Sequence, residues 1–126
     1  MRKAKIKSLL PSLKEKKRYV VYEIISESMI SPQQAFDAIN YTALQFLGEL
    51  GYGNAGIRIM NDIWNQDMQR GIVKVSNKYT DQLRSAFMLV KSIGRQDVIV
   101  RSVGTSGTLK KAKNKYLSDK YQRNEV

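Results

Sequence analysis

The feature that most limits what this chain can fold into is the order in which its apolar periods change. "RYVVYEIISE" (18–27) is rich in β-branched and aromatic residues and reads as a strand. "SPQQAFDAINYTALQFLGELG" (31–51) shifts to a helical period, with Phe36, Ile39, Ala43, Phe46, Leu47 and Leu50 on one stripe. Ser31 is placed to cap this helix, Pro32 suits its first position, and Gln34 can reach back to complete a capping box. Gly51 is expected just past its end. "IRIMNDIWN" (57–65) and "GIVKVS" (71–76) return to strand character, joined by a polar turn over 66–70. "TDQLRSAFMLVKSIG" (80–94) predicts a second helix with Leu83, Ala86, Phe87 and Val90 inward and Gly94 ending it. "DVIVRSV" (97–103) is a fourth strand, and "TLKKAKNKYL" (108–117) a third helix.

Strand–helix–strand–strand–helix–strand predicts an α+β protein of the ferredoxin-like βαββαβ type, a two-layer sandwich with an added C-terminal helix. The expected division is a basic N-terminal arm over 1–18, a core domain over 19–107 and a basic helix or tail over 108–126. Val20, Tyr22, Ile24, Ile57, Ile59, Val73, Val75, Val98 and Val100 should face the two helices. The opposite pleat would present Tyr19, Val21, Met60, Trp64, Lys74 and Arg101. That face is too apolar to be left in water, so a terminal segment or a partner should cover it.

Charge then narrows the function. The 126 residues carry a formal net charge of +11, which favours a polyanionic partner over a neutral metabolite. The excess lies at the ends: residues 1–18 hold eight cations against Glu15, and 108–126 hold six against Asp119 and Glu125, whereas the middle holds eight of each sign. Cations set on phosphates release counterions, so two basic ends on a neutral core suit RNA or DNA with strong salt dependence. Candidate RNA contacts are Lys14, Lys16, Lys17, Arg18, Lys74, Arg101, Lys110, Lys111, Lys113 and Lys115. Between Tyr19 and Ile57 there is no Lys or Arg, while Glu23, Glu27, Asp37 and Glu49 are present. That surface should repel phosphate, and Tyr41 and Gln45 are its candidate protein contacts, alongside Tyr19, Val21, Met60 and Trp64 on the open pleat.

The chain has no histidine and no cysteine. Histidine-dependent nucleophilic schemes, histidine or thiolate metal sites and disulfides are therefore closed. Neither a membrane span nor a secretory signal is evident, and a cytoplasmic setting is expected. Asp62 and Asp67 flank Trp64 and are a weak magnesium-nuclease alternative, with nothing diagnostic in their spacing.

Two motifs dissolve on inspection. "GYGNAG" has the G-x-G-x-x-G spacing at Gly51, Gly53 and Gly56, but a helix precedes it and a strand follows, the reverse of a phosphate-binding fingerprint. "RGIVKVSN" fits the first ribonucleoprotein signature at Arg70, Gly71 and Val75, yet its aromatic positions are Ile72, Lys74 and Asn77, so no base-stacking platform exists. In "GTSGTLKKAKNKYL", Lys110 and Lys111 oppose the helix macrodipole, an arrangement that suits an anion docking beside Gly104 and Gly107.

Over nearly its whole length the chain resembles the archaeal ribonuclease P protein component 2 family. The resemblance rests on "LLPSLKEKKRYVVYEIISE", on the order of elements and on "VGTSGTLKKAKNKYL". It implies a subunit of the ribonucleoprotein that cleaves the 5′ leader from precursor tRNA. Catalysis and magnesium would lie in the RNA, with no cofactor and no catalytic residue on the protein. Implied partners are ribonuclease P RNA, precursor tRNA, ribonuclease P protein component 3 and the other protein subunits, with a homodimer inside the assembly left open. A scaffold of another ribonucleoprotein, ribosomal in type, is the runner-up.

Overall fold

The computed structural model describes residues 16–118. The elements are β1 (Lys17–Ile25), α1 (Pro32–Ala55), β2 (Arg58–Asn65), β3 (Arg70–Ser76), a 3-10 turn (Asn77–Tyr79), α2 (Thr80–Met88), β4 (Ser92–Ile93), β5 (Gln96–Asp97), β6 (Ile99–Ser106) and α3 (Leu109–Tyr116). Four strands form one antiparallel sheet in the order β2-β3-β1-β6, and β4 and β5 make a separate hairpin. The chain is α+β, with helices packed on the sheet and a further C-terminal helix. Lys14 and the rest of 1–15, with 119–126, lie outside the described residues; Lys17 and Arg18, assigned above to an arm, already pair within β1.

The start of α1 follows the sequence signals. Ser31 accepts from the Gln34 amide at 3.1 Å, and the Gln34 side chain accepts from the Ser31 amide at 3.0 Å. Its end does not. Gly48 (φ 76°, ψ 168°) breaks the helical run, the helix resumes, and left-handed Gly56 closes it, so Gly51 is interior. The expected stripe holds at Phe36, Ile39, Ala43 and Leu47, but Phe46 just before the break is 44% exposed and Leu50 beyond it 78%.

α1 and α2 pack on one sheet face. Val20, Tyr22, Ile24, Ile59, Val73, Val75, Val98 and Val100 are buried there with Ile39, Leu83 and Phe87, and Ile57 packs against them. α2 stops at Met88 rather than Gly94: Val90 turns into the core, and Ser92–Asp97 fold into the hairpin, with Gly94 (φ 66°) at its turn.

The second sheet face is covered from within the chain. α3 lies across β1 and β6, burying Ala112 against Val21 and Ile72 with Tyr19, Met60, Leu109 and Tyr116 around them. Val21 is wholly buried and Tyr19 and Met60 are half-buried, so the three pack against their own chain instead of standing open to a protein partner. Trp64 is not on this face at all. The β2–β3 register jumps between Met60 and Trp64, the pleat parity is lost in the bulge, and the indole packs beside Tyr22 in the other core.

Candidate nucleic-acid interface

Register decides which cations meet. At the end of the sheet where β1 begins, Lys17 pairs with Ser76, Arg58 with Lys74, and Tyr19 with both Lys74 and Ser106. Paired residues share a face, so Arg58, Lys74, Tyr19 and Ser106 form one row across the sheet on the side that carries α3. The Lys74 ammonium stands 6.0 Å from the Tyr19 ring centroid. Chain continuity from Ser106 then brings the start of α3, with Lys110 and Lys111, to this same end.

Arg18 reaches into that junction. Its Nε donates to the Asn77 side-chain oxygen at 3.1 Å, and its guanidinium lies against Gly107. Lys16 is tied through its carbonyl, which accepts from the Asn77 amide at 2.7 Å, leaving the exposed ammonium outward. Asp81, four residues past Asn77, pairs with Arg84 at 3.3 Å. Lys16, Lys17, Lys74, Lys110, Lys111, Lys113 and Lys115 have no ion pair with any described residue. Arg58 and Lys78 join this cationic end. Neither was singled out in the sequence, because each is an isolated cation until the register places it.

The opposite end of the sheet is different. Glu27 and Asp67 lie in its loops and Asp97 in β5, with Arg95 in the turn of the hairpin and Lys91 just before it. Arg101 belongs to this half, where its Nη2 pairs with Glu23 at 2.7 Å. The other Glu23 oxygen takes Arg70 Nε at 3.2 Å, and Arg70 Nη1 donates to the Tyr116 carbonyl at 2.8 Å. Arg101 thus shares one carboxylate with Arg70 and stands apart from the cluster. Arg70, only 6% exposed, is a fastener between the sheet and the last turn of α3.

α3 itself shows why its sequence is mixed. Thr108 caps it, its hydroxyl accepting from the Lys111 amide at 3.2 Å, so one first-turn N–H is already satisfied. Gly104 lies not beside that N-terminus but under the Tyr116 ring. Lys110, Lys111, Lys113 and Lys115 are exposed, with the Lys115 ammonium 5.5 Å from the Tyr116 centroid.

Tyr41, 66% exposed, and Gln45 project from the cation-free side of α1, one and two turns on from the exposed Asp37. Asp62 and Asp67 are exposed, in β2 and the following turn, and among the described residues no three His, Cys, Asp or Glu side chains are grouped to hold a metal. No described helix is long and apolar enough to cross a membrane.

Fold and surface together define a small basic α+β protein with a cluster of its described cations at one end of the sheet. The chain belongs to the Rpp14/Pop5 family, which it matches over residues 18–117. It is similar to ribonuclease P protein component 2 of Pyrococcus abyssi, 35% identical over 114 residues covering 90% of this chain and 95% of the relative. The protein of the same name from Thermococcus gammatolerans is 36% identical over 115 residues, covering 91% and 94%. That from Archaeoglobus fulgidus is 34% identical over 112 residues, covering 89% and 98%. Among solved structures, a chain from the cryo-EM structure of yeast ribonuclease MRP superposes with a TM-score of 0.57 over 89% of this chain and 93% of that one. At 13% identity the likeness is one of fold.

Proposed function

We propose that this chain is a protein subunit of ribonuclease P, the ribonucleoprotein that removes the 5′ leader from precursor tRNA. The observation that carries the reading is agreement with ribonuclease P component 2 proteins along nine-tenths of the chain. In this reading the sheet and its helices are a ferredoxin-like scaffold whose task is to present cations. Lys16, Lys17, Arg18, Lys74 and the lysines of α3 neutralise phosphates on the RNA, together with the N-terminal residues that include Lys14. The RNA supplies the magnesium and the bond-breaking chemistry. The cation-free side of α1, with Tyr41 and Gln45, faces protein, and ribonuclease P protein component 3 is the partner we assign to it. The complex works in the cytoplasm on precursor tRNA.

Reconstitution tests this. The RNA and the other subunits are assembled with and without this chain and given precursor tRNA and magnesium. Leader removal should rise when the chain is added, and the chain alone should cleave nothing. Cleavage by the isolated chain, or assembly indifferent to it, would overturn the proposal.

A further inference from the structure

The outer surface of α3 has an order that net charge does not require. An α-helix turns about 100° per residue, so the positions of the eight-residue helix are fixed by its buried side. Leu109, Ala112 and Tyr116 face the sheet. Directly opposite them stands Asn114. Lys110 and Lys113 fall on one flank of that crest and Lys111 and Lys115 on the other. Two shallow depressions agree with this division: one is lined by Leu109, Lys110, Lys113 and Asn114, the other by Ser106, Lys111, Asn114 and Lys115. Asn114 borders both.

We propose that α3 seats as a ridge in the wide, shallow groove of a paired RNA segment. Lys110 and Lys113 lie on the phosphates of one strand, Lys111 and Lys115 on those of the other, and Asn114 meets the groove floor. This rests on the RNA-binding reading above and adds the form of RNA bound and the residue that recognises it.

Three observations select this partner among polyanions. One side of the helix, with Leu109, Ala112 (0% exposed) and Tyr116, is packed on the sheet, so only its outer side can enter a groove. The major groove of B-form DNA is about 8.5 Å deep, and that of A-form RNA is deep and too narrow for side chains, whereas the A-form minor groove is wide and shallow. Second, the crest residue is a neutral amide that both donates and accepts, the chemistry a ribose 2′-hydroxyl or a base edge in that groove requires. Third, the aromatic residue of this helix, Tyr116, is turned down over Gly104, so the crest offers no ring on which unpaired bases would stack.

The test uses the full chain and three probes of one sequence: an RNA duplex, the matching DNA duplex and single-stranded RNA, each titrated over a range of salt. The RNA duplex should bind roughly tenfold tighter than either other probe, since the DNA duplex lacks the 2′-hydroxyls and the single strand lacks the groove. Asn114→Ala should narrow the RNA-over-DNA ratio without changing the salt slope. Lys110→Gln/Lys113→Gln and Lys111→Gln/Lys115→Gln should each flatten the slope by about two phosphates' worth. All five positions are exposed, and unchanged circular dichroism verifies that the variants fold. Equal affinity for single-stranded RNA, an unchanged ratio for Asn114→Ala, or a slope that responds to one flank alone would overturn the proposal. Stimulation of precursor cleavage by the reconstituted complex is read in parallel. If it persists while the duplex preference is absent, the groove assignment fails and the subunit assignment stands.

Discussion

The ring of Tyr116 occupies the space that a side chain on residue 104 would need: a Cβ built on Gly104 would overlap the ring and its hydroxyl. Glycine in the middle of β6 weakens a strand on its own terms, so its place here follows from the helix packed above it.

Gly104→Ala should therefore push Tyr116 off the sheet and loosen α3. Overpacking of this kind costs about 1–3 kcal/mol in urea unfolding. Tyr116→Ala removes the obstruction, so the double variant should be less destabilised than the sum of the two singles. Strict additivity of the two changes would show that the contact does not hold the helix down.

Glu23 stands between two arginines that differ in exposure. Its partner Arg70 has a side chain 8% exposed, whereas Arg101 is 59% exposed. Removing the carboxylate strands the buried guanidinium, so Glu23→Ala should cost about 3 kcal/mol. Arg101→Gln should cost less than about 1 kcal/mol, since that pair is screened by water. Thermal unfolding of the two variants distinguishes them, and equal losses would mean that Arg70 is held by the Tyr116 carbonyl alone.

Much of the architecture is written in local signals. The capping box at Ser31 and Gln34 and the alternation from Val20 to Ile24 act within a few residues, and both are legible in the order of amino acids alone. What escaped depends on distant partners. Gly48, Gly51 and Gly56 look alike in sequence, and only backbone geometry decides which one breaks the helix and which closes it. The β4–β5 hairpin has two residues per strand, too short to carry a period, and Leu89, Val90 and Ile93 mimic a continuing helical stripe. Trp64 changed faces because a bulge inserts residues that no alternation rule anticipates. At the site, the α3 lysines could be read as a basic helix, whereas the separation of Arg101 from them is set by Glu23 across the sheet.

Tyr22 gives a prediction in pH. Burial among Trp64, Phe87 and the sheet pushes its hydroxyl well above the ordinary tyrosine value. The folded state then keeps a proton that the unfolded chain releases near pH 10, so this group's contribution is intact below that pH and lost as pH rises through its folded value. Unfolding midpoints should fall above pH 10 more steeply in the native chain than in Tyr22→Phe. Parallel curves would show that the hydroxyl titrates freely.

The last prediction separates local charge from total charge. If phosphate lies at the end of the sheet where β1 begins, then Lys16→Gln/Lys17→Gln should lower the salt dependence of RNA binding. Each lost contact is worth about 0.7–0.9 in the slope of log affinity against log salt. Lys91→Gln/Arg95→Gln removes the same charge from the opposite end, beside the hairpin, and should leave the slope nearly unchanged. A diffuse electrostatic attraction would respond equally to both pairs, because it senses only the net charge. A bound phosphate responds to the first pair alone, since counterions leave only where a cation has replaced them.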